Sequence, residues 1–525
     1  MKTIKKNHLI AAIDIGSHAL CLKIAETSKD NEIKIIENLR KTISLGKDTF
    51  AMGQVSFETV EETCKILQSF RQCLADYNVR EYRTVATSAV REAKNRDYII
   101  DQIKLKTGLS PKVLENSEER FLTMKAIMDA MPNYATIRKG GAIIVDIGSG
   151  SIQTSIYYDG RFEITQNIRL GSLRIREILS SLETRTLDFP KVLEEYIEGN
   201  IDNIGFVKYS EEFNDFVVIG SEIPLISQLC NRKTGKSQTT HILKKDFEEV
   251  YKEILYKSPQ VLKKELAISQ ENAEILLPSM MLLKKFFDHV KADKAYTPMI
   301  SLADGVLSDI CGSRAKKKGK DPLGDDILSL ARCIGTKFNY HEAHAIDVEE
   351  KSVALFEGLR KLHGMGDREL FLLRLSAILH DTGKYINLND HYIHSYHIVM
   401  ASELMGISRQ ELEIIANVSR YHSREVPSQS HATFMRLNEA DRVVTAKLVA
   451  IIRIADALDR SHRQKIKSIK VTLDNEGLTV RVDTKEDVLL EEWTFETKAN
   501  FFREVFGVVP IMKIKREMPN AGSRL

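Results

Sequence analysis

The sequence contains one short phrase twice, IAAIDIGS at Ile10–Ser17 and IIVDIGSGS at Ile143–Ser151. Each copy is an apolar run of strand length followed by aspartate, one aliphatic residue, glycine and serine. The two aspartates, Asp14 and Asp146, are 132 residues apart, whereas the repeats of solenoid proteins recur every ~20–50 residues. The separation therefore predicts a duplicated domain. A carboxylate at a strand end can hold hydrated Mg²⁺, and glycine lets backbone amides approach phosphate oxygens, so the phrase predicts phosphate chemistry.

Composition narrows the class of protein. The chain has 525 residues, and domains of ~150 residues predict three or four of them. Its net charge is +3, from 76 basic and 73 acidic residues, so we expect no nucleic-acid partner. The six cysteines form no CxxC pair, which predicts a cytoplasmic protein without a disulfide framework or a structural zinc site. No stretch approaches the ~20 apolar residues of a membrane helix, and we expect no membrane partner.

The pattern along the chain predicts four parts and a linker. Strands alternate with helical periodicity over residues 1–135, and the alternation restarts over 136–312, which predicts two α/β domains. In the second, Asp159-Gly160 between two strand-like runs predicts a hairpin turn. Residues 313–324 (SRAKKKGKDPLG) are basic and poor in apolar residues, as linkers are. The pattern predicts an all-helical domain over 325–464 and a small α+β domain over 465–525.

Two further positions could serve phosphate chemistry. Arg91 follows a buried strand at a helix start, where a guanidinium can bind phosphate through two N–H groups. A solvated surface arginine is the equal alternative. Glu118 and Glu119 open another helix, where carboxylates commonly interact only with the helix dipole. A glutamate facing the phosphate would instead orient or deprotonate a water molecule. The spacing alone favours the dipole interpretation.

Four stretches of the chain carry a family pattern together: AAIDIGSHALCLKIAE, TVATSAVREAKNRDYI, VLENSEERFLTMKAI and AIIVDIGSGSIQTSIY. In this order and approximate spacing they resemble the exopolyphosphatase/guanosine pentaphosphate phosphohydrolase (Ppx/GppA) family, over the first 310 residues. The resemblance implies two actin-like domains of the ASKHA, RNase H-like class, with the active site in the cleft between them. It implies Mg²⁺-assisted hydrolysis of the terminal phosphoanhydride of inorganic polyphosphate, with guanosine pentaphosphate as a second substrate, by a homodimer.

The resemblance also assigns a role to each matching position. Glu119 matches the family's water-activating glutamate and Arg91 its phosphate-binding arginine. Asp146 matches the aspartate of the second phosphate-and-metal loop, which would hold Mg²⁺. These roles agree with what phosphoryl transfer requires, namely positioning, a cation and neutralisation of charge on the phosphate oxygens. The other phosphate-binding positions lie in the two loops: Asp14, Gly16, Ser17, Gly148, Ser149, Gly150 and Ser151.

The chain departs from the family pattern at four places. His18-Ala19 stand where the family has Asn and Ser or Thr, and Gln153 replaces a glutamate near the expected metal. The loop that begins at Gly220 reads GSEI in place of Gly-Gly-Thr, and residues 303–305 read Ala-Asp-Gly in place of Arg-Glu-Gly. The loss of a carboxylate at Gln153 would weaken Mg²⁺ binding. We therefore expect an active but altered hydrolase, and the alternative is a non-catalytic sensor that binds guanosine polyphosphates.

The predicted helical domain carries a second set of candidate residues, His344, His380-Asp381 in ILHDTGK, and Asp456 in RIADALD. The set resembles the His…His-Asp…Asp signature of HD-type phosphohydrolases, a module that long Ppx/GppA members carry. Imidazoles and carboxylates on facing helices suit a divalent metal that activates water. The set is interpreted either as a second metal site, and then a rival location for the hydrolysis, or as a vestigial or regulatory site. Further ligands are available at His391, His394 and His422.

Overall fold

The computed structural model describes residues 8–28, 32–183, 185–186, 188–201, 213–234, 240–314, 322–474 and 477–514. The chain divides into two compact units, Met1–Asp321 (unit 1) and Pro322–Leu525 (unit 2). Most of the predicted linker, residues 313–324, lies outside the described residues. None of the helices in the described ranges is long and apolar enough to cross a membrane. The predicted domain boundaries inside each unit stay predictions.

The first half of unit 1 folds around one sheet, which we call the first lobe. Its elements are β1 (His8–Ile15), β2 (Ala19–Thr27), β3 (Ile33–Thr42), α1 (Leu45–Met52), α2 (Phe57–Asp76), β4 (Glu81–Ala86), α3 (Ser88–Glu92), α4 (Arg96–Thr107), β5 (Lys112–Val113), α5 (Asn116–Ala130) and α6 (Tyr134–Lys139). The strand order is β3-β2-β1-β4-β5. Strands β1, β2 and β3 are antiparallel neighbours, and β4 and β5 run parallel to β1.

The second half of unit 1 folds around another sheet, the second lobe. Its elements are β6 (Ala142–Ile147), β7 (Ile152–Tyr158), β8 (Arg161–Ile168), α7 (Ser172–Glu183), α8 (Phe189–Ile201), β9 (Asp215–Gly220), α9 (Ile223–Thr234), β10 (His241–Leu243), α10 (Lys244–Ile254), α11 (Pro259–Leu266), α12 (Gln270–His289), β11 (Lys294–Tyr296) and α13 (Leu302–Arg314). The strand order is β10-β11-β9-β6-β7-β8. Strands β6, β7 and β8 are antiparallel neighbours, and β9 and β11 run parallel to β6.

The two lobes share one topology, as the repeated phrase predicts. In each sheet an antiparallel run of three strands is followed by parallel strands on the open side of its first strand. The predicted hairpin turn at Asp159-Gly160 is also confirmed, because both residues have positive φ, 47° and 73°, as a type I′ turn requires. The alternation of strands and helices in both lobes agrees with the pattern predicted from the sequence.

The two copies of the phrase end in the same tight loop. The amide of Gly16 donates to the carbonyl of Ala19 at 3.1 Å, and that of Gly148 donates to the carbonyl of Ser151 at 3.0 Å. A Cβ at Gly16 would lie 2.8 Å from the Ala19 oxygen, and one at Gly148 would lie 2.9 Å from the Ser151 oxygen. Glycine is required at both positions because a side chain would displace the carbonyl that closes the loop.

Helix α13 returns to the first lobe after the chain leaves the second. Its apolar residues pack with those of β1, β4 and α5. Gly305 lies against Leu122, whose carbonyl oxygen would be 2.0 Å from a Cβ at this position. Asp304 forms a salt bridge of 2.6 Å with Lys23 of β2. Asp304 and Gly305 thus join α13 to the first lobe. The last helix of the predicted domain of residues 136–312 therefore packs on the first lobe.

Unit 2 is mostly helical, as its sequence pattern predicts, and ends in a small sheet of order β12-β13-β14. The sheet packs on the helices, since Gly358 lies against Val471, with a Cβ at Gly358 only 2.5 Å from the Val471 side chain. The elements are α14 (Pro322–Lys337), α15 (Glu342–Gly358), α16 (Arg360–His363), α17 (Asp367–Leu379), a 3-10 turn (Thr382–Tyr385), α18 (His391–Ala401), α19 (Arg409–Tyr421), α20 (Ala432–Met435), α21 (Glu439–Ala457), β12 (Ser468–Asp474), β13 (Gly477–Asp483), α22 (Leu489–Phe506) and β14 (Pro510–Ile514).

Candidate functional site

The carboxyl ends of β1 and β6 bring Asp14 and Asp146 into one cleft of unit 1. Both carboxyls are buried, and burial together with the charge of Glu119 raises the pKa of each to about 7. The charge of Glu119 raises the pKa of both aspartates. Glu119, in the first turn of α5, therefore lies close to both carboxyl groups. Three carboxylates converge there, without enough positive charge nearby to keep the two aspartate pKa values at their ordinary level.

Arg91 is held beside Glu119 by three contacts. Its Nη1 donates to Glu119 Oε2 at 3.1 Å and to the carbonyl of Leu114 at 2.5 Å, and its Nη2 donates to Asn116 Oδ1 at 2.5 Å. A pocket of about 310 Å³ opens here, lined by Arg91, Glu92, Glu115, Asn116 and Arg169. Arg169 belongs to the second lobe and Arg91 to the first. The pocket therefore presents one guanidinium from each lobe, which suits a chain of phosphates.

The two loops offer backbone donors to an anion. Among the described residues, the amides of Ser17, Ser149 and Gly150 donate no hydrogen bond to another group. Successive unpaired amides of this kind form anion-binding concavities. The Ser17 hydroxyl is engaged elsewhere, because it accepts a hydrogen bond from the amide of Ala89 at 3.1 Å and lies 2.8 Å from Ser88 Oγ. Ser17 can therefore serve the cleft through its amide.

The loop of the second lobe touches the first lobe directly. A Cβ at Gly150 would lie 2.5 Å from Ser88 Oγ and 2.8 Å from Phe50 Cζ. Arg174 of α7 fastens this contact, since its Nε donates to the carbonyl of Gly150 at 2.6 Å and its Nη2 donates to Glu92 Oε1 at 2.8 Å. Its Cζ lies 4.1 Å from the centre of the Phe50 ring. Arg174 thus joins the two lobes beside the cleft.

Three of the four departures from the family pattern lie around the same centre. Gln153 pairs with Asp146 across β6 and β7. His18 Nε2 lies 3.1 Å from Asn272 Oδ1, which links the first loop to α12 of the second lobe. Glu222, of the altered GSEI loop, is buried, and burial raises its pKa. Its charge in turn raises the pKa of Asp146. The centre has a neutral amide at 153 and a carboxylate at 222.

The donor atoms of this centre fit a magnesium ion. Asp14 Oδ1, Gln153 Oε1 and Glu222 Oε1 are buried, and none of the three has a hydrogen-bond partner among the described residues. Buried oxygens without a partner are unfavourable unless a cation or water fills the space between them. Mg²⁺ takes oxygen ligands and keeps several waters. The residues present therefore suit a hydrated Mg²⁺.

Three residues of this cleft were not predicted from the sequence: Glu222, Arg169 and Arg174. A local signal existed for Glu222 alone, since it is the second residue after the buried strand DFVVIG. No local signal existed for the two arginines, because their place in the cleft depends on groups of the opposite lobe.

Unit 2 brings the four residues of the predicted His…His-Asp…Asp set together in a buried cluster. His344 Nε2 lies 3.3 Å from Asp456 Oδ1 and 3.3 Å from His380 Nε2. Asp381 Oδ2 lies 3.5 Å from His380 Nε2 and 3.7 Å from His344 Nε2. Four side chains from α15, α21 and the end of α17 thus point their donor atoms into one small volume, as a metal site requires.

Of the three further ligands suggested by the sequence, two join the cluster. His422 Nε2 and His391 Nε2 lie 3.4 and 3.5 Å from Asp381 Oδ1. His394 lies one turn beyond His391 on α18, and in the part of the chain that the structure describes no ion pair joins it to Asp381, in contrast to His391 and His422. His462 was not predicted from the sequence, and its ring stacks on that of His344 with centroids 3.7 Å apart.

The electrostatics of unit 2 are the reverse of those in unit 1. Burial opposes the ionisation of Asp456, but Lys498 and His344 outweigh it and hold its pKa well below the ordinary value. Burial opposes the positive charge of His344 too, yet hydrogen bonds with Asp456 and Asp459 raise its pKa to about 9. Burial lowers the pKa of His380 to about 3. The cluster therefore contains its own compensating cations.

The chain belongs to the Ppx/GppA phosphatase family. The pattern of that family matches residues 24–314, and the pattern described as Ppx/GppA phosphatase, domain III, matches residues 329–498. A crystal structure of an exopolyphosphatase from Cytophaga hutchinsonii covers 58% of this chain and 98% of its own, with a TM-score of 0.51 and 19% identity. This match shows a shared fold, the actin-like arrangement of mixed sheets and helices.

The relatives that the chain matches differ in how much of it they cover. The bifunctional 3-dehydroquinate synthase/phosphatase of Fusobacterium nucleatum is 23% identical over 55% of this chain and 44% of its own length. Exopolyphosphatase 1 of Mycobacterium tuberculosis is 23% identical over 32% of this chain and 47% of its own. The chain thus spans about half the length of these two relatives. The guanosine-5'-triphosphate,3'-diphosphate pyrophosphatase of Vibrio vulnificus is 21% identical over 91% of this chain and 92% of its own.

Proposed function

We propose that the cleft of unit 1 hydrolyses the terminal phosphoanhydride of inorganic polyphosphate with Mg²⁺, and that guanosine pentaphosphate is a second substrate. One observation carries the proposal: Glu119, hydrogen-bonded to Arg91, faces both Asp14 and Asp146 beside a pocket with an arginine from each lobe. Membership of a phosphatase family and the names of the exopolyphosphatase and pyrophosphatase relatives support this substrate class.

Each residue has a defined task in the proposed reaction. Glu119 accepts a proton from a water molecule, which attacks the terminal phosphorus in line with the leaving oxygen. Arg91 and Arg169 neutralise charge on the phosphate oxygens, and the amides of the two loops orient them. The bond between the terminal phosphorus and the bridging oxygen breaks. Orthophosphate and a chain shorter by one phosphate leave the cleft.

Asp14 and Asp146 would hold Mg²⁺, with Gln153 and Glu222 as further oxygen donors. Mg²⁺ bound there supplies positive charge that offsets the negative charge of the leaving group. The buried oxygens of Asp14, Gln153 and Glu222 that have no partner support this assignment.

The test is phosphate release from long-chain polyphosphate and from guanosine pentaphosphate, with and without Mg²⁺. We expect Glu119→Ala to lower the rate about 10²-fold or more, the usual contribution of a general base. Glu118→Ala is the matched control, because Glu118 is the adjacent glutamate but binds Lys112 at 2.5 Å and the amide of Glu115 at 3.1 Å. This control should keep activity within a few-fold of wild type.

Three outcomes would contradict the proposal. An unchanged rate in Glu119→Ala would exclude this mechanism. A rate lost in the His380→Ala/Asp381→Ala double variant but kept in Glu119→Ala would move the chemistry to unit 2. Tight binding of guanosine pentaphosphate without turnover of either substrate would favour the sensor.

We further propose that residues 325–464 form an HD-like domain and that residues 465–525 form a small α+β domain. The buried histidine–aspartate cluster supports the first assignment. The sheet β12-β13-β14 together with α22 supports the second. A cytoplasmic location and a homodimer stay predictions, which cell fractionation and analytical ultracentrifugation would test.

A further inference from the structure

We propose that the second lobe binds a small apolar amine in a pocket beside α12. The pocket has a volume of about 260 Å³ and is lined by residues of α7, α8, α11 and α12 and of the segment before α11. It shares no lining residue with the pocket at Arg91. Sites for drug-sized ligands begin at ~300 Å³, so the ligand would be smaller, about one ring with a short chain.

The wall of the pocket is mostly apolar. Phe189, Leu255 and Leu277 pack against the core of the second lobe but are only partly buried. Tyr256, beside them in the wall, is 78% exposed. A ligand would therefore bury apolar surface that now faces water, and the two aromatic rings would attract a cation. The aliphatic part of the wall consists of Pro190, Leu193, Leu255, Leu262, Leu277 and Pro278.

The charges of the wall favour a positively charged head group. Arg176 Nη2 already binds Glu183 Oε2 at 2.8 Å. Lys257 Nζ already binds Glu265 Oε2 at 2.7 Å. The carboxylate of Glu274 accepts a hydrogen bond of 3.0 Å from the side-chain amide one turn earlier on α12, but no lysine or arginine of the described ranges forms a salt bridge with it. The wall is thus left with one negative charge that no cation offsets.

A backbone acceptor lies beside the same carboxylate. Pro278 stands inside α12, and proline has no N–H to donate to the carbonyl four residues earlier. That carbonyl belongs to Glu274, and both residues line the pocket. Glu274 therefore offers its carbonyl and its carboxylate to one ligand group. An ammonium group has three N–H donors and a positive charge, so it suits both acceptors.

A second carboxyl group lies near Glu274. Burial raises the pKa of Glu177 on α7, and the charge of Glu274 adds to the rise, although Lys47 and Arg176 oppose it. An anionic ligand would meet both carboxyl groups and be repelled. The ligand is therefore a cation.

Isothermal titration calorimetry of the full chain, without substrate or metal, tests the inference. Three probes share a phenyl ring on a short chain and differ in the head group: 2-phenylethylamine is a cation, 2-phenylethanol is neutral and 3-phenylpropanoate is an anion. We expect the amine to bind about 10-fold more tightly than the alcohol, as one charge-assisted hydrogen bond predicts. The anion should not bind.

An amine that binds no more tightly than the alcohol, or that does not bind at millimolar concentration, would overturn the inference. Tighter binding of the anion would overturn it too. No hydrolysis is measured, so failure of the function proposed for unit 1 would leave this readout unchanged.

Glu274→Gln and Glu271→Gln form a matched pair on α12. Glu274→Gln should weaken the binding of 2-phenylethylamine about 10-fold and keep that of 2-phenylethanol within about two-fold of wild type. Glu271→Gln should keep both affinities, because Glu271 lies on the same helix but outside the wall of the pocket. Equal effects of the two substitutions on the amine would overturn the assignment of the site.

Pro278→Ala tests the backbone acceptor. Alanine restores the N–H that bonds to the Glu274 carbonyl, so the amine affinity should fall about 5-fold, the usual contribution of one hydrogen bond. Pro259→Ala is the control, because Pro259 lines the same pocket at the start of α11, where an added N–H has no helical acceptor. An amine affinity that is unchanged in Pro278→Ala would overturn the arrangement of two acceptors. Circular dichroism checks folding, and should Pro278→Ala unfold, the two glutamate variants and the three probes still decide.

Discussion

In unit 1, Asp14 and Asp146 are buried beside glutamates, whereas in unit 2 Asp381 and Asp456 are buried beside imidazoles and lysines. Burial and the charge of Glu119 raise the pKa of the first two to about 7. Burial opposes the ionisation of the second two as well. The imidazoles and lysines around them nevertheless hold their pKa values well below the ordinary value.

Burial alone therefore does not decide the charge of a carboxylate. The neighbours of the carboxylate decide it. The cleft of unit 1 has an excess of negative charge, which bound protons or a bound cation must neutralise. In the cluster of unit 2, the cationic groups of Lys384, Lys498 and His344 offset the charge of the buried aspartates. We infer that the cleft is built to gain Mg²⁺ with its phosphate substrate, and the cluster is built to hold its ligands in place.

The strongest change that we predict is in thermal stability. Replacing one aspartate of each centre by asparagine should raise the stability for unit 1 and lower it for unit 2. The pKa of Asp146 is about 7 in the folded protein, above the ordinary value of 3.8. The folded state therefore holds the proton more tightly, and stability present below about pH 4 is lost as the pH rises through 7. The loss is on the order of a few kcal/mol. Without metal, Asp146→Asn should therefore raise the melting temperature at pH 8 by roughly 5–10 °C, and the gain should vanish near pH 4.

Asp456→Asn should lower the melting temperature, because the buried Lys498 and His344 would lose the negative charge with which they pair. Calorimetry in EDTA from pH 4 to 8 measures both variants against wild type. Addition of Mg²⁺ should stabilise wild type at pH 8 and leave Asp146→Asn almost unchanged. A loss of stability in both variants, without dependence on pH, would remove the contrast between the two centres.

We expect a smaller effect, on kcat/KM, from Arg174→Ala. The side chain of Arg174 joins the two lobes of unit 1 beside the cleft. Its bonds to Gly150 and Glu92 are charge-assisted and partly buried. Their loss should lower kcat/KM for polyphosphate by about 10-fold, since one such bond contributes about 1.5–3 kcal/mol. We expect the change chiefly in KM, because Arg174 positions the lobes.

Arg176→Ala is the control for Arg174→Ala. Arg176 lies on the same helix, but it binds Glu183 at 2.8 Å within the second lobe. Steady-state kinetics should separate the two variants, and Arg174→Lys should recover part of the affinity. If both alanine variants change kcat/KM equally, the contact between the lobes has no special role in the cleft.

The sequence predicted the features of the fold that depend on neighbouring residues. Strand periodicity, the glycine at each loop and the Asp159-Gly160 turn are local, and the structure has all three. The roles of Arg91 and Glu119 came from the family resemblance. Position alone left a solvated surface arginine equally possible for Arg91, and spacing alone favoured a helix-dipole interpretation for Glu119. Their contact at 3.1 Å joins residues 28 positions apart, which no local pattern could reveal.

The rest of the two sites depends on contacts over long separations. Arg174 approaches Glu92 from 82 residues away, and His344 approaches Asp459 from 115 residues away. Local spacing placed His391 and His394 equally well, one turn apart on one helix. Only the packing of α18 on its neighbours shows which of the two rings reaches Asp381. Since both histidines lie on the same helix, helical spacing alone could not decide which of them contacts Asp381.

The smallest change that we predict tests whether Glu222 supplies the carboxylate that Gln153 lacks in the cleft of unit 1. Gln153 faces Asp146 across the sheet, where the family pattern has glutamate, and the altered loop supplies Glu222 beside the same aspartate. We expect Glu222→Gln to raise the Mg²⁺ concentration for half-maximal phosphate release about 5-fold, as the loss of one charge interaction of ~1 kcal/mol predicts. The double variant Gln153→Glu/Glu222→Gln should return it to within about two-fold of wild type.

Glu222→Gln combined with Gln166→Glu is the control, since Gln166 lies on β8 of the same sheet and pairs with Thr154. This combination restores the net charge of the lobe, but the new carboxylate does not lie opposite Asp146, so the Mg²⁺ requirement should stay raised. If Glu222→Gln has no effect while Gln153→Glu alone lowers the requirement, the cleft has lost a carboxylate instead of relocating it. The excess negative charge that distinguishes unit 1 from unit 2 would then come from Asp14, Asp146 and Glu119 alone.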